Sequence, residues 1–353
     1  MPSTLTVDES RALLALCRRG RLYDIDDWIK AGKSLKVAQE IRKTPIQVAI
    51  ETGFHSLIEL LARNESQIRI KNCALADAVS RHRMDFVELL VKHGAEIYSM
   101  PLADVLLAWE PNIIRFFLDR GADVISDRPF ARAFGERVRS CLRIFREYKE
   151  SHPDLADDLN QQAESALRHF SYEGNLKWVS LLLWVGADPR RKGPRWNSHW
   201  EYDPECDSTA VEEACLSGNL DVMRRFKISA DTDDLSHLLN ESASFAHADL
   251  TRYLLGLGAK PNDKSNGGSS ALDRCLWHIR FESIGHISSE KVIRRYNVYR
   301  TMETITLLLD GGALWRPDDI DSPANAPKGR ARIGSRFIRA SKAARGMFIR
   351  YDP

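Results

Sequence analysis

A chain of 353 residues with 43% hydrophobic and 28% charged residues has the composition of a folded protein rather than a disordered one. Its formal net charge of +2 gives the whole molecule no bias toward nucleic acid or anionic lipid. No apolar run reaches the roughly 18–20 residues of a membrane span, and the N-terminus lacks the pattern of a signal peptide, so we expect a cytoplasmic protein with no membrane partner.

One apolar pattern recurs along the chain: two pairs of apolar residues separated by a single residue. These spacings place the apolar residues on one stripe of an α-helix, which a neighbouring helix must cover. In chain order the pattern occurs at Leu57/Ile58/Leu60/Leu61, Phe86/Val87/Leu89/Leu90, Ile113/Ile114/Phe116/Phe117, Cys141/Leu142/Ile144/Phe145, Trp178/Val179/Leu181/Leu182 and Ile305/Leu307/Leu308.

A glycine closes most of these stripes, and glycine can adopt the left-handed conformation that ends a helix. The closing positions are Gly32, Gly94, Gly121, Gly186, Gly258 and Gly312. Twelve residues before each lies a predicted turn, at Gly20, His82, Trp109, Gly174, Ala246 and Arg300. Gly53 and Gly218 hold the same place in repeats that close at Glu65 and Ala230. The constant offset indicates that one helix length is reused.

A shorter helix is predicted before each turn, most clearly in TPIQVAIETG at residues 44–53. Thr44 suits the N-cap and Pro45 suits the first helical position, where no amide donor is needed. Small residues on its packing face would let this helix lie close to its neighbours: Ala49, Ala78, Ala133, Ala214 and Ala243. The predicted unit is a short helix, a turn, a longer helix and a glycine stop.

This unit resembles the ankyrin repeat, whose pattern T-P-L-H-x-A-A-x-x-G and later G-A-D is similar to residues 44–53 and to LLLWVGADPR at 181–190. Further copies lie at 89–97, 116–124 and 207–223, and the resemblance spans residues 9–315. Gln47 stands where the family has histidine. The resemblance implies an all-α fold, an ankyrin-repeat solenoid of about nine helix–turn–helix units with a few β-hairpin fingers.

The predicted organisation has two parts, an ankyrin-repeat array at 1–315 and a basic segment at 316–353 that either caps the array or binds a ligand. Within the array, residues 9–37 form a capping repeat, because Asp24 and Asp27 lie on its stripe. The connection at 187–208 is a finger of about twice the usual length. An insertion is expected at 280–299, and a further interruption at 149–164.

Motifs for catalysis or metal binding are absent from the sequence. The six cysteines include no C-x-x-C pair, and several lie at apolar positions of the repeat, which is typical of buried thiols in a reducing compartment. His199 and Cys206 share the finger without the spacing of a zinc site. The sequence also lacks a G-x-S-x-G, a Walker loop and an H-E-x-x-H. We therefore expect no enzyme activity, no metal and no cofactor.

The resemblance implies a binding surface on the exposed side of the first helices and on the fingers. Aromatic and arginine residues, which are enriched at interface hot spots, collect there in the C-terminal half. The predicted partner-binding residues are His169, Tyr172, Arg191, Arg195, Trp196, His199, Trp200, Tyr202, Phe245, Arg274, Trp277 and His278. The alternative to a binding role is a finger that folds on itself and packs its tryptophans on the repeats.

The resulting hypothesis is a non-catalytic module that captures a protein partner on its concave face and long finger. Inhibitor, immunity and adaptor roles all fit this hypothesis, and the residues do not identify the partner. The alternative is a nucleic-acid-associated protein that uses the basic tail and the finger arginines. Steep salt dependence of binding would distinguish the second from the first.

Overall fold

The computed structural model describes residues 4–196, 202–264, 268–276 and 291–314, with backbone alone at 195–196, 202–206 and 291–298. These residues are mainly helical, and the one sheet among them has two strands, as the predicted fold class requires. None of the described helices is both long and apolar enough to cross a bilayer.

The helices occur in pairs of a first and a second helix, and in the eight pairs whose connection is described a tight turn joins the two. The first helices are α1 (Val7–Arg18), α3 (Pro45–Thr52), α5 (Ile68–Ser80), α7 (Leu102–Leu107), α9 (Pro129–Gly135), α11 (Ala156–Glu173), α13 (Ala210–Leu216), α15 (Leu235–Ser244) and α17 (271–276). The second helices are α2 (Leu22–Lys30), α4 (His55–Asn64), α6 (Met84–Lys92), α8 (Pro111–Leu118), α10 (Cys141–Ser151), α12 (Leu176–Trp184), α14 (Leu220–Arg225), α16 (Ala248–Gly256) and α18 (Lys291–Asp310). Short 3-10 helices, Ile97–Ser99 and Pro153–Leu155, precede α7 and α11.

The turns between paired helices confirm most of the predicted turn positions. Positive φ angles occur at Gly20, Gly53, His82, Trp109, Gly174, Gly218 and Ala246, and at all six predicted closing glycines. The prediction for Arg300 is wrong, because α18 runs through this residue without a break and takes in residues 291–299 of the predicted insertion. Residues 280–290 lie outside the described part of the chain.

The closing position of the repeat formed by α13 and α14 also differs from the prediction. The left-handed residue is Lys227, at φ 54°, rather than Ala230. Because α14 has only 6 residues, the stop arrives three residues earlier than in the other repeats. Glu65, the other non-glycine closing position, is extended at φ −77° rather than left-handed.

Capping explains where α3 begins, and small buried residues explain how closely the first helices pack. The Thr44 side chain accepts a hydrogen bond from the Gln47 amide, and the Gln47 side chain accepts one from the Thr44 amide, with Pro45 in the first turn. The small residues predicted for the packing face are all fully buried: Ala49, Ala78, Ala133, Ala214 and Ala243. The capping box therefore fixes where α3 begins, and the buried alanines allow the first helices to lie close to their neighbours.

The chain divides into two compact units, Met1–Ala163 and Glu164–Pro353, with the boundary inside α11. In the first unit, α1 packs on α3 and α3 on α5, while α4, α6, α8 and α10 pack in sequence. In the second unit, α13 packs on α15, and α12, α14, α16 and α18 pack in sequence. Within each unit the helices therefore stack in chain order, as expected for a repeat array.

The predicted interruption at 149–164 has a structural role in the first unit. Its second half, from residue 156, forms the first turns of α11. There the buried Gln162 side chain accepts a hydrogen bond from the Phe130 amide (3.0 Å) and donates one to the Val124 carbonyl (2.7 Å). Helix α9 has no side-chain cap of its own, because its N-cap residue is the left-handed Arg128. Gln162 therefore satisfies the helix terminus that the local sequence leaves open.

The cysteines whose side chains are described are free thiols. Cys17, Cys141, Cys215 and Cys275 are buried, as the repeat pattern predicts, whereas Cys73 is exposed. Burial raises the pKa of Cys17, Cys141 and Cys275 to about 12, so these thiols stay protonated and behave as small apolar residues.

The long finger is an antiparallel β-hairpin of β1 (Gly193–Trp196) and β2 (Tyr202–Ser208). Gly193 lies opposite Ser208, and Trp196 opposite Tyr202, with a bulge between Pro194 and Arg195. The described residues contain no other strand pair, so the connection at 32–44, which has the length of a finger, is a loop.

Candidate interaction surface

The base of the hairpin is fixed to helix α11 by a buried arginine. The Arg168 side chain, on a residue only 2% exposed, donates from Nε to the Pro194 carbonyl (2.9 Å) and from Nη1 to the Arg191 carbonyl (3.1 Å). Ser165 Oγ donates to the same Pro194 carbonyl at 3.1 Å. One guanidinium therefore holds the chain on both sides of Gly193, and sets where the hairpin leaves the repeats.

A buried carboxylate completes this anchor. Glu164, 3% exposed, lies 3.5 Å from Arg191 Nε, and burial raises the pKa of Glu164 against the opposing effect of Arg191. An added Cβ at Gly193 would lie 2.8 Å from Arg168 Nη2, so a larger residue there would displace the end of the Arg168 side chain. Arg191, predicted to bind a partner, thus contributes its side chain and its carbonyl to the anchor.

A second ion pair holds the loop that leads into the hairpin. Arg190 donates from Nε and Nη2 to the two carboxylate oxygens of Asp233, at 3.0 and 2.9 Å. Burial alone would raise the pKa of Asp233, but hydrogen bonds from Arg190 and Thr232 outweigh it and lower that pKa. This bidentate pair connects the loop to the segment before α15.

The returning strand is fixed to α13. Ser208 Oγ donates to Oε1 of the buried Glu213 at 2.7 Å, and the next residue, Thr209, forms a capping box with Glu212. Both ends of the hairpin are therefore attached to first helices of the second unit, one to α11 and the other to α13.

Glu212 also reaches the following repeat, where its Oε1 lies 3.3 Å from His237 Nε2. The hydrogen bond from His237 lowers the pKa of Glu212 to about 2, and the hydrogen bond from Glu212 raises the pKa of His237. When Glu212 is ionised and His237 is protonated, the pair links α13 to α15.

This pair predicts a pH-dependent contribution to stability. The lowered pKa of Glu212 makes its contribution present above pH 4.5 and lost as the pH falls toward 2, whereas the raised pKa of His237 makes its contribution present below pH 6.5 and lost above its elevated pKa. His237→Gln should therefore cost about 1 kcal/mol between pH 4.5 and 6.5, and less on either side. Urea unfolding at a series of pH values measures the difference, and a pH-independent difference would contradict the assignment.

Two aromatic side chains project from the ends of first helices in the second unit. Tyr172, at the end of α11, is 51% exposed, and Phe245, at the end of α15, is 46% exposed. The Tyr172 carbonyl accepts from Asn219 Nδ2 at 3.0 Å. The Phe245 ring stacks on His247 with centroids 6.1 Å apart, and His247 Nε2 lies 2.9 Å from the Leu216 carbonyl. Asn219 therefore holds the end of α11, and His247 links the turn that follows Phe245 to the end of α13.

The remaining described candidates are partly occupied within the protein. Arg274 Nη1 donates to Glu241 Oε1 at 2.7 Å and to Ser244 Oγ at 3.3 Å, beside Phe245. His169 is half-buried, with its ring edge-on to Phe170 at 5.2 Å. Among the candidates whose side chains are described, only Tyr172 and Phe245 are exposed, each to about half of its full surface.

The other candidates are placed by backbone alone or lie outside the described residues. Arg195 and Trp196 are on β1 and Tyr202 is on β2, with Arg195 opposite Asp203. His199, Trp200, Trp277 and His278 lie outside the described part of the chain.

Sequence patterns missed the residues that position this surface, namely Glu164, Arg168, Asn219 and His247. A signal existed for Arg168: it lies within a run of buried residues on α11, where a charged side chain requires a partner. No group of three or more His, Cys, Asp or Glu side chains in the described residues is placed to hold a metal ion, and the absence of a cofactor stays a prediction.

No protein-family model and no curated protein matches this chain. Among solved structures, the ankyrin repeat domain of Bcl-3, described as a unique member of the IkappaB protein family, is 15% identical; the match covers 74% of this chain and 92% of that one, with a TM-score of 0.33. The human ASB11 ankyrin repeat domain is 12% identical, with 82% and 96% covered and a TM-score of 0.28. At these identities and TM-scores the likeness supports no conclusion about function. The geometry of the chain's own repeats is that of an ankyrin-repeat fold.

Proposed function

We propose that this chain is a non-catalytic protein-binding module. Its recognition surface in the second unit consists of the β-hairpin together with Tyr172 and Phe245. The observation that carries the proposal is the hairpin anchor, in which the buried Arg168 and Glu164 fix a finger that would otherwise be a long free loop.

Rigid attachment favours binding for an entropic reason. A flexible loop of this length loses conformational freedom when a partner orders it, and that loss weakens the complex. A hairpin already fixed at both ends loses less, so more of the contact energy contributes to affinity. The exposed Tyr172 and Phe245 supply large apolar areas. Tyr172 lies on a helix end that Asn219 holds, and Phe245 stacks on the ring of His247.

The partner is a protein in this proposal, captured by stoichiometric binding. The roles that fit are those of an inhibitor, an immunity protein or an adaptor, each of which needs a stable complex and no chemistry. The sequence of the finger, residues 187–208, contains Trp196 and Trp200 among residues of both signs of charge, which suits a protein surface of mixed charge.

The test is affinity purification of the tagged full chain from its native host, with bound proteins quantified by mass spectrometry. Tyr172→Ala with Phe245→Ala, and separately Trp196→Ala with Trp200→Ala, should each reduce recovery of the specific partner by about tenfold or more. Tyr172→Ala with Phe245→Ala should not alter the unfolding midpoint much, because both side chains are about half exposed.

The matched control is Tyr23→Ala with Tyr98→Ala, which removes two exposed tyrosines from the first unit. Recovery should be unchanged in this control. Equal recovery with all three double variants would remove the second unit from the interface, and recovery that falls steeply with salt and depends on added nucleic acid would favour the other class of partner.

A further inference from the structure

His247 lies where three successive repeats of the second unit meet. It follows the left-handed Ala246 in the turn between α15 and α16, and it is the N-cap residue of α16. Its Nε2 lies 2.9 Å from the carbonyl oxygen of Leu216, the last residue of α13, and its Nδ1 lies 3.2 Å from Nη2 of Arg300 on α18. One imidazole therefore links its own repeat to the preceding and the following one.

These two neighbours fix both the charge of the imidazole and the position of its hydrogen. A carbonyl oxygen can only accept a hydrogen bond, so Nε2 must carry a hydrogen. A guanidinium can only donate, so Nδ1 must present its lone pair to Arg300. A protonated ring would instead turn an N–H of its own toward the N–H of a cation. The arrangement therefore requires the neutral ring with its hydrogen on Nε2.

The surroundings leave this imidazole little room to turn. A Cβ added at Gly218 would lie 2.4 Å from Nδ1 and 2.6 Å from Cε1 of His247, so the ring rests against that turn. The Phe245 ring stacks on the imidazole with centroids 6.1 Å apart and 20° between the planes. A change in the charge of the ring is therefore answered at its contact with the half-buried Arg300 rather than by rotation of the ring.

The charge of Arg300 decides how His247 responds to pH. The C-terminus of α13 favours a cation at Nε2, whereas the N-terminus of α16 disfavours one at its N-cap, so the two helix ends oppose each other. A full charge at 3.2 Å outweighs the partial charge of either helix end. On α14, Arg225 is exposed. The carboxylates on the elements around the ring have partners elsewhere: Glu212 with His237, Glu213 with Ser208, Glu241 with Arg274, Asp221 with Arg224, and Asp249 and Glu303 with Arg252.

We propose that His247 is a pH-sensitive latch between the last two repeats, closed by the neutral imidazole and opened when the ring takes up a proton. The proton on Nδ1 removes the lone pair that Arg300 uses and brings two cations together. Arg300 then moves away, so α18 loses its contact with the turn before α16, and the ring on which Phe245 stacks is no longer held by α18. Free imidazole gains a proton near about pH 6.5, so the latch is closed at pH 7.5 and opens on acidification.

The latch and the Glu212–His237 pair respond to acid in opposite ways. The pair is stabilised by protonation of His237, so its contribution is present below pH 6.5. The latch is weakened by protonation of His247, so its contribution is present above pH 6.5 and is lost below it. The His237→Gln variant removes the first response and leaves the second, and it serves as the parent protein for the test.

The first measurement is amide hydrogen exchange of the full chain at pH 7.5 and 5.5, corrected for the intrinsic dependence of exchange on pH. Exchange at residues 246–251 and 301–306 should accelerate by about tenfold at the lower pH in His237→Gln. Adding His247→Gln should abolish the acceleration, because an amide can donate to Leu216 and accept from Arg300 without titrating. Adding Arg300→Met, which removes the cation, should abolish it as well. An unchanged rate in His237→Gln, or equal acceleration in all three proteins, overturns the proposal.

The second measurement reads the imidazole directly and does not depend on how well either variant folds. Nitrogen NMR of the full chain labelled with ¹⁵N-histidine distinguishes the two neutral tautomers and the protonated ring, and the His247 signal is the one that disappears in His247→Gln. At pH 7.5 the signal should be that of the neutral ring with hydrogen on Nε2. A hydrogen on Nδ1 at this pH, in either charge state, overturns the proposal. Neither measurement contains a partner, so both outcomes are independent of the proposed function.

Discussion

Replacing Gly218 by alanine is expected to lower the free energy of unfolding by about 3 kcal/mol. Gly218 has φ +75°, where a Cβ is disfavoured, and an alanine Cβ would lie 2.4 Å from His247 Nδ1. His247 would have to move, which breaks the contact of its Nε2 with the Leu216 carbonyl. The substitution therefore strains one turn and also separates two neighbouring repeats. Urea unfolding followed by circular dichroism measures the loss.

Gly258→Ala is the matched control for this prediction. Gly258 has φ +98° but no neighbouring atom within 4 Å of an added Cβ, so only the conformational cost applies, about 1–2 kcal/mol. Removing the obstructing ring with His247→Ala should bring the cost of Gly218→Ala down to that of the control. Equal costs for the two glycines in the parent protein would argue against the role given to His247.

The two glycines illustrate how far the sequence could predict the fold. From their constant offset in the repeat, Gly258 was predicted to be a left-handed closing residue and Gly218 to lie in the turn, because helix length and turn conformation are local properties. The contact of His247 with Gly218 was not predictable in this way, since it depends on how closely one repeat packs on the next. Where local signals were weak the prediction failed, as at Arg300, where no glycine interrupts the helical sequence and α18 continues.

The sequence predicted the fold better than it predicted the interaction surface. The length of the finger and the exposure of Tyr172 and Phe245 followed from repeat positions. The role of Arg191 in the anchor did not, because composition favours arginine at interfaces and in buried ion pairs alike.

The second large effect is expected for Arg168→Leu, which should lower the free energy of unfolding by about 3–5 kcal/mol. Leucine fills much of the same space but removes the Arg168 donor from the Arg191 carbonyl and leaves the Pro194 carbonyl with Ser165 Oγ alone. It also leaves the buried Glu164 with one cation fewer. The base of the hairpin should detach from α11. Amide hydrogen exchange at residues 193, 195, 196, 207 and 208 should accelerate by about a hundredfold, well before the rest of the second unit unfolds.

Arg168→Leu also distinguishes a residue that positions the hairpin from a residue that touches the partner. Arg168 is buried and cannot touch a partner, so a loss of partner recovery in Arg168→Leu would come from the freed hairpin alone. Arg168→Lys keeps the charge but lacks the fork that reaches two carbonyls, and should fall between parent and leucine in both exchange and recovery. Gly193→Ala disturbs the anchor from the other side, since its Cβ would lie 2.8 Å from Arg168 Nη2, and should accelerate exchange at the same amides. If Arg168→Leu accelerates exchange while recovery stays at the parent level, the anchored hairpin does not contribute to binding, and Tyr172 and Phe245 alone would have to account for it.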